Sequence, residues 1–335
     1  SYDMGLDVFS IDRAPIDSCK SLCSYTVNCS TYDSGKAIQE LRIALKNKQP
    51  KGLIFRTSGP AVLTAALICE EFQLNNLSLN LAKASVQKSV LSQDCKDLGI
   101  LTPKSNIVSN FDDFRNDYFG KVIKPDIPVI GTKNVFRLIN EEQARDSFQK
   151  AKEESVNNLV ETQEYIYGLD MVVMVICSDN KRIEHLNIDQ WVTLLDGRFE
   201  KVGAAIPSIL EGHEVTTKIL KIIDRLIFYW KIVSGIIFFT FRVDQNGNAW
   251  LYEVNPGIIG DKIVDDLLPM AFGNSLPNLF EIDVKLMLGE MIDSLDKVPQ
   301  SYAILEGKVI SMSDAISKLN VSTKYKELME RINLF

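Results

Sequence analysis

Residues 250–261 read WLYEVNPGIIGD, a strand-like apolar segment followed by a glycine-containing turn. Two oxygen donors, Glu253 and Asn255, lie within it. Because side chains alternate between the two faces of a strand, residues two positions apart are predicted to point the same way. A carboxylate and an amide carbonyl are ligands that Mg²⁺ accepts alongside substrate phosphates. The stretch therefore predicts one half of a magnesium site.

The strand that precedes this stretch is predicted to pair with it as a hairpin. Ile236–Val243 is a predicted strand, and Asn246–Gly247 in the intervening turn is typical of a tight hairpin. Counting back across the turn places Thr240 opposite Glu253. The nearest acid, Asp244, lies in the turn, at the wrong end of the hairpin. A hydroxyl is a weaker Mg²⁺ ligand than a carboxylate, so the predicted site has one acid and not two.

Length and charge limit the class of protein. The chain has 335 residues, which suits two or three subdomains, and its net charge of −7 disfavours general binding to nucleic acid. The longest apolar run, Ile222–Phe241, contains three charged residues and is predicted to be a buried helix and strand, not a membrane span. We see no signal peptide pattern and expect a cytoplasmic protein, whose six cysteines fit free thiols better than a zinc site.

The first part of the chain predicts alternating strands and helices. Strands are predicted over Leu6–Asp12 and Gly52–Gly59, and helices over Ser34–Lys48, with Ser34 as N-cap, and Pro60–Phe72. This alternation favours parallel strands joined by crossover helices, a Rossmann-like α/β domain. The chain lacks the Gly-x-Gly-x-x-Gly turn of dinucleotide-binding oxidoreductases, which disfavours that class.

From residue 85 onward the pattern is α+β. A helix is predicted over Ser85–Pro103, ended by glycine and proline, and a strand is predicted to end at Lys124. Two further strands flank Gly168, and a long helix is predicted over Val215–Trp230 ahead of the hairpin. These segments predict a sheet with helices packed on it.

Four motifs occur in order along this region: Lys88, Lys124 in VIKP, QEYIYGLD at 163–170 and EVNPGIIGD at 253–261. Their order and spacing resemble the ATP-grasp superfamily, in the branch that includes biotin carboxylase, carbamoyl phosphate synthetase, D-alanine–D-alanine ligase and amino-acid ligases. The resemblance runs from about Leu6 to residue 295. It implies an ATP-grasp fold behind a Rossmann-like pre-ATP-grasp domain.

The resemblance also implies domain limits. The N-terminal α/β domain would cover residues 1–84, the small ATP-grasp lobe residues 85–165, and the large lobe with a C-terminal extension residues 166–335. Family members open with one more strand and a glycine-containing turn, and this element is either absent from the protein or lies ahead of Ser1.

Site roles follow from the same resemblance. Two lysines match the residues that contact the phosphates of ATP, and a hinge segment matches the residues that bind adenine. One acid matches the residue that binds the ribose hydroxyls, and the hairpin pair matches the Mg²⁺ ligands. The loop at 126–135 matches the cover over the phosphates, with Gly131, Thr132 and Lys133 as its polar positions. The implied nucleotide-binding residues are Lys88, Lys124, Gln163, Glu164, Ile166 and Asp170, and the implied metal ligands are Glu253 and Asn255.

Three positions depart from the family pattern. Relatives usually supply an acid where this chain has Thr240, often an arginine where it has Gly257, and many have glutamate at the position of Gln163. The charge missing at Gly257 has three candidate sources. They are Arg198, Lys201 and Arg242.

The implied activity is that of a ligase that uses ATP and Mg²⁺. It would phosphorylate a small carboxylate to an acyl phosphate, which an amine, or less expectedly a thiol, then attacks, and many relatives form homodimers. An alternative from a different class is a degenerate ATP-grasp protein that binds nucleotide or a partner without ligase turnover. The departures at Thr240 and Gly257 motivate it.

Overall fold

The computed structural model describes residues 4–15, 20–129, 134–273, 278–290, 292 and 299–335. Gly131, Thr132 and Lys133 of the predicted phosphate cover, and Cys19, lie outside these ranges. None of the described helices is long and apolar enough to cross a lipid bilayer. The thirteen strands of the described ranges are β1 Phe9–Asp12, β2 Tyr25–Asn28, β3 Ser105–Val108, β4 Val122–Pro125, β5 Phe136–Arg137, β6 Val160–Gln163, β7 Leu169–Ser178, β8 Lys181–Leu195, β9 Arg198–Ile206, β10 Gly235–Val243, β11 Ala249–Pro256, β12 Tyr302–Leu305 and β13 Lys308–Ser311.

The helices pack on both faces of the larger sheet and around the smaller one. Short 3₁₀ turns lie at Phe111–Asp113, Arg115–Asp117 and Thr323–Tyr325, and one π-helical turn at Ile263–Leu267. The α-helices are α1 Ser34–Leu45, α2 Pro60–Glu71, α3 Leu79–Val86, α4 Lys88–Asp97, α5 Glu141–Glu153, α6 Glu214–Tyr229, α7 Leu268–Phe272, α8 Leu279–Met287, α9 Met312–Val321 and α10 Lys326–Ile332.

One antiparallel sheet runs through most of the structure. Its strands lie in the order β11-β10-β7-β8-β9-β5-β4-β6-β3, and β12 of the C-terminal hairpin also pairs with β9. Among the described residues, one pair, Phe136 opposite Arg198, joins the strands from β11 to β9 with the strands from β5 to β3. The predicted hairpin of β10 and β11 is confirmed, and it forms one edge of this sheet.

The central strand β7 shows why the sheet is the core of the molecule. Its residues Leu169–Cys177 are all buried, as expected for a strand that is covered on both faces. Val173 and Val175 pack with α6 in one hydrophobic cluster, and Val172 and Met174 pack with α7 and α8 in another. Alternation along β7 therefore assigns even-numbered residues, Asp170 among them, to the face that carries α7 and α8.

The N-terminal part is α/β, with corrections to the prediction. β1 and β2 pair in parallel, with Phe9 opposite Tyr25, but residues 52–59 form no strand. Side chains fix this irregular segment instead, because Arg56 donates to the Ile259 carbonyl and to the Asp265 carboxylate. The prediction of a strand there was wrong, since apolar composition alone does not distinguish a strand from a segment anchored by its side chains.

Two predicted helix details were also wrong. The N-cap of α1 is Asp33, whose carboxylate accepts from the Lys36 N–H, and not Ser34. The helix predicted over Ser85–Pro103 is broken at Gln87, whose extended backbone separates α3 from α4. Asp126 stabilises the break, because its carbonyl and carboxylate accept from the first backbone N–H groups of α4.

Gly203 provides a test of how tightly the C-terminal hairpin packs on β9. A Cβ at this position would lie 2.2 Å from the Ile304 carbonyl oxygen and 2.9 Å from the Trp191 ring. We expect Gly203→Ala to lower the free energy of unfolding by about 1–3 kcal/mol, as overpacking does. Gly35→Ala is the control, since its Cβ would have only one neighbour, at 3.8 Å. Urea denaturation of both variants measures the difference, and equal stabilities would contradict the packing.

Candidate functional site

One pocket gathers most of the residues that the sequence singled out. Seven of the eight predicted site residues line it, and Asn255 does not. They come from the start of α4, from β4, from the end of β6 with the segment that follows it, and from β7 and β11. Those that line the pocket are Lys88, Lys124, Gln163, Glu164, Ile166, Asp170 and Glu253.

Lys88 reaches the pocket because the break at Gln87 makes it the first residue of a new helix. Its Nζ lies 3.8 Å from Oε1 of Glu253, and the two side chains are only 12% and 19% exposed. Burial lowers the pKa of the Lys88 ammonium, while the Glu253 carboxylate opposes that shift. A helix start and a strand end, distant in sequence, thus share one ion pair.

Lys124 is held by two residues of β6. Its Nζ lies 2.9 Å from Oε2 of Glu161 and donates to Oε1 of Gln163 at 3.3 Å. Glu161 is fully buried and lies two residues before Gln163, on the same face of the strand. Sequence reasoning missed Glu161, although a carboxylate inside an otherwise buried strand is a signal, because such a charge needs a partner.

Glu164 has a structural task as well as a place in the pocket. Its carboxylate accepts from the Lys104 N–H at 2.8 Å, and its own N–H donates to the Lys104 carbonyl at 2.9 Å. These bonds fix the chain just after β6. Both the side chain and the N–H of Glu164 are therefore committed to the backbone of Lys104.

Asp170 and Arg242 form a bidentate salt bridge on the pocket wall. Nε and Nη2 of Arg242 each donate to one oxygen of Asp170 at 2.7 Å, and Nη1 donates to the Ile166 carbonyl. Burial alone would lower the pKa of Arg242, but the Asp170 carboxylate raises it above its ordinary value, so the cation persists. The rings of Tyr165 and Tyr252 lie 5.4 and 5.8 Å from the guanidinium carbon.

This pair changes the predicted environment of Asp170. The carboxylate is 1% exposed and already accepts from both branches of the arginine. From the sequence, Arg242, two residues beyond Thr240, was only one of three candidate sources for the charge missing at Gly257. Its pairing with Asp170 was not foreseeable there, since it depends on the register between β7 and β10.

The hairpin places Thr240 where the sequence predicted. Thr240 is the direct cross-strand partner of Glu253, and Phe238 is the partner of Asn255. The candidate metal ligands are therefore one carboxylate, one amide and one buried hydroxyl on a shared face. Among the described residues, no group of three or more His, Cys, Asp or Glu could hold a metal ion. This set fits Mg²⁺ that takes most of its ligands from phosphates and water, and not a site built by protein alone.

Gly257 cannot carry a long side chain in this structure. Its φ is +81°, and a Cβ would lie 2.8 Å from the Phe55 ring. Of the three candidate substitutes for a cation, Lys201 lines the pocket and pairs with Asp261, just beyond the turn. Arg242 lines it too but is bound to Asp170, and Arg198 is not among the lining residues.

The chain matches no protein-family model, and no curated protein matches it in sequence. Solved structures do match. An L-amino acid ligase from Bacillus licheniformis is 16% identical over 90% of this chain and 74% of its own, with a TM-score of 0.74. An N5-carboxyaminoimidazole ribonucleotide synthetase from Thermus thermophilus is 13% identical over 91% and 78%, with a TM-score of 0.67.

A third structure, a biotin carboxylase from Campylobacter jejuni in complex with an ATP analogue, is 14% identical over 90% of this chain and 70% of its own. Its TM-score is 0.64. At these identities the likeness shows the fold. The predicted ATP-grasp fold is therefore confirmed.

The Asp170–Arg242 pair can be tested by a double-mutant cycle. Arg242→Met leaves a buried carboxylate without its partner, which is expected to lower the free energy of unfolding by about 3–5 kcal/mol. Asp170→Asn combined with Arg242→Met removes both charges and should recover part of that loss. Asp170→Asn alone completes the cycle, and chemical denaturation measures the two single variants and the double variant.

Lys150→Met is the control for this cycle, because it breaks an exposed pair with Asp146 and should cost about 0.5 kcal/mol or less. If the loss of stability in the double variant equals the sum of the losses in Arg242→Met and Asp170→Asn, the two charges are not coupled.

Proposed function

We propose that this protein is an ATP-dependent ligase that activates a small carboxylate as an acyl phosphate and joins it to an amine. The observation that carries the proposal is the convergence of two buried lysines, the segment after β6 and the carboxylate of Glu253 on one pocket. The fold shared with an L-amino acid ligase and with a biotin carboxylase supports the same class of reaction.

The nucleotide would lie along the pocket wall. Gln163–Ile166 would bind the adenine through backbone groups, since the Glu164 side chain is committed to Lys104. Lys124 and Lys88 would neutralise phosphate oxygens, a task that suits compact ammonium groups. Asp170 would act near the ribose through Arg242, because its own oxygens already accept from the guanidinium.

Glu253 and Asn255 would hold Mg²⁺, with the Thr240 hydroxyl beside them. When bound, the ion would neutralise charge on the transferred phosphoryl group. The protein's own contribution is positioning and charge stabilisation, which is most of what phosphoryl transfer demands. Lys201, on the pocket wall beside the turn that contains Gly257, is the cation we assign to the acyl phosphate.

Release of ADP tests the proposed reaction. The full chain is incubated with ATP, Mg²⁺ and pairs of amino acids or hydroxy acids, and a coupled assay follows ADP. We expect ADP formation that requires a carboxylate substrate, with product formation that requires an amine. A folded protein that binds nucleotide, yet releases no ADP above background with any pair, would contradict the ligase assignment.

Lys124→Met tests the nucleotide site separately from turnover. Loss of a buried ammonium from the phosphate region should weaken binding of ADP at least about tenfold, by the energy of one charge contact. Lys121→Met is the matched control, because Lys121 lies three residues earlier and pairs with Asp117 outside the pocket. Calorimetry measures both variants, and similar affinities for the two would exclude Lys124 from the site.

A further inference from the structure

Lys88 and Glu253 have different tasks in the proposed reaction, yet in this structure they are partners. One is assigned to phosphate and the other to Mg²⁺, but the ammonium and the carboxylate lie 3.8 Å apart. That separation exceeds a hydrogen bond, so the contact is a Coulombic attraction that can be exchanged without breaking directional bonds. The pair lines the pocket where phosphates and the metal would meet.

The other acids near Lys88 are already engaged. Glu161 lies 2.9 Å from the Lys124 ammonium. The Asp126 carboxylate accepts from the Ser89 N–H and from the Asn157 amide. Among the described residues this leaves Glu253 as the counter-ion of Lys88. Of the three acids whose attraction opposes the effect of burial on the pKa of the lysine, Glu253 contributes most.

Glu253 has neutral neighbours on its own face of the hairpin. Its cross-strand partner Thr240 and its neighbour on the same face, Asn255, are both neutral. Removing Lys88 would therefore leave the Glu253 carboxylate, 19% exposed, without a cation within 4 Å among the described residues. Each member of the pair depends on the other for neutralisation.

From this geometry we propose that the Lys88 ammonium neutralises Glu253 in the nucleotide-free protein, and that Mg²⁺ replaces it there when nucleotide binds. We call this the stand-in role of Lys88. Lys88 then exchanges Glu253 for a phosphate oxygen. The inference rests on the proposed nucleotide site and deepens it, because it states how the site orders its two ligands.

This exchange has the same consequence for each ligand taken alone. A divalent cation alone must displace an ammonium from Glu253, so it binds weakly. Nucleotide alone draws Lys88 away and leaves Glu253 facing phosphate, so it binds weakly as well. Together they relieve both penalties, which makes their binding cooperative and reciprocal.

Lys88→Met separates this role from that of an ordinary phosphate ligand. Binding of Mn²⁺ alone to the full-length protein is followed by the paramagnetic resonance signal of free Mn²⁺. We expect the variant to bind Mn²⁺ at least about tenfold more tightly than the wild type, and ADP in the presence of chelator at least about tenfold more weakly. Lys88→Gln should behave in the same way and serves if the methionine variant is poorly folded.

Two controls locate the effect. Lys121→Met removes an ammonium that pairs with Asp117 outside the pocket, so its affinity for Mn²⁺ should stay at the wild-type value. Lys88→Met combined with Glu253→Gln should lose the gain, because the freed carboxylate is gone. An equal gain in Lys121→Met would indicate a general charge effect and would overturn the proposal.

The two proposals fail differently. If the wild type binds ADP cooperatively with Mn²⁺ but folded Lys88 variants bind Mn²⁺ no more tightly than it does, the stand-in role is wrong and the nucleotide site stands. If ADP does not bind under any condition, the proposed function is wrong. The Mn²⁺ measurements on Lys88→Met still decide whether Lys88 neutralises Glu253.

Discussion

A charge that is buried in a protein needs a partner, and this constraint organises the pocket. Four cations line it, and each is matched by an acid from a different element: Lys88 by Glu253, Lys124 by Glu161, Lys201 by Asp261 and Arg242 by Asp170. An unpaired charge here would carry a desolvation cost of several kcal/mol, so the pairs fix where strands and helices meet. Each of these cations therefore has an acidic partner within the protein itself.

The register of the sheet decides which acid meets which cation. Asp170 and Arg242 are direct cross-strand partners on β7 and β10, and Thr240 and Glu253 are partners on β10 and β11. A shift of one residue would turn every one of these side chains to the opposite, apolar face. Side chains on both faces of β7 are buried, and their packing opposes such a shift. The same two-residue periodicity therefore fixes both the hydrophobic core and the charged groups of the pocket.

The sequence predicted what depends on local pattern and on short spacing. The hairpin and the position of Thr240 opposite Glu253 could be read from it. The gathering of seven site residues in one pocket was implied by the resemblance to ATP-grasp proteins. It did not predict the break at Gln87, because the stabilising groups come from Asp126, far along the chain. Glu161 and the partnership of Arg242 were missed for the same reason, since strand pairing creates both contacts.

The contact between Gly257 and Phe55 constrains the evolution of the protein. The turn after β11 leaves no room for a side chain because a residue from the irregular N-terminal segment fills the space. An arginine at position 257 would therefore need more than one substitution. A smaller residue at position 55 would have to come first, and the chain would also have to tolerate a left-handed turn without glycine. Positions 55 and 257 are therefore expected to change together among descendants. A chimera that exchanges the segment around Phe55 must also exchange the turn after β11.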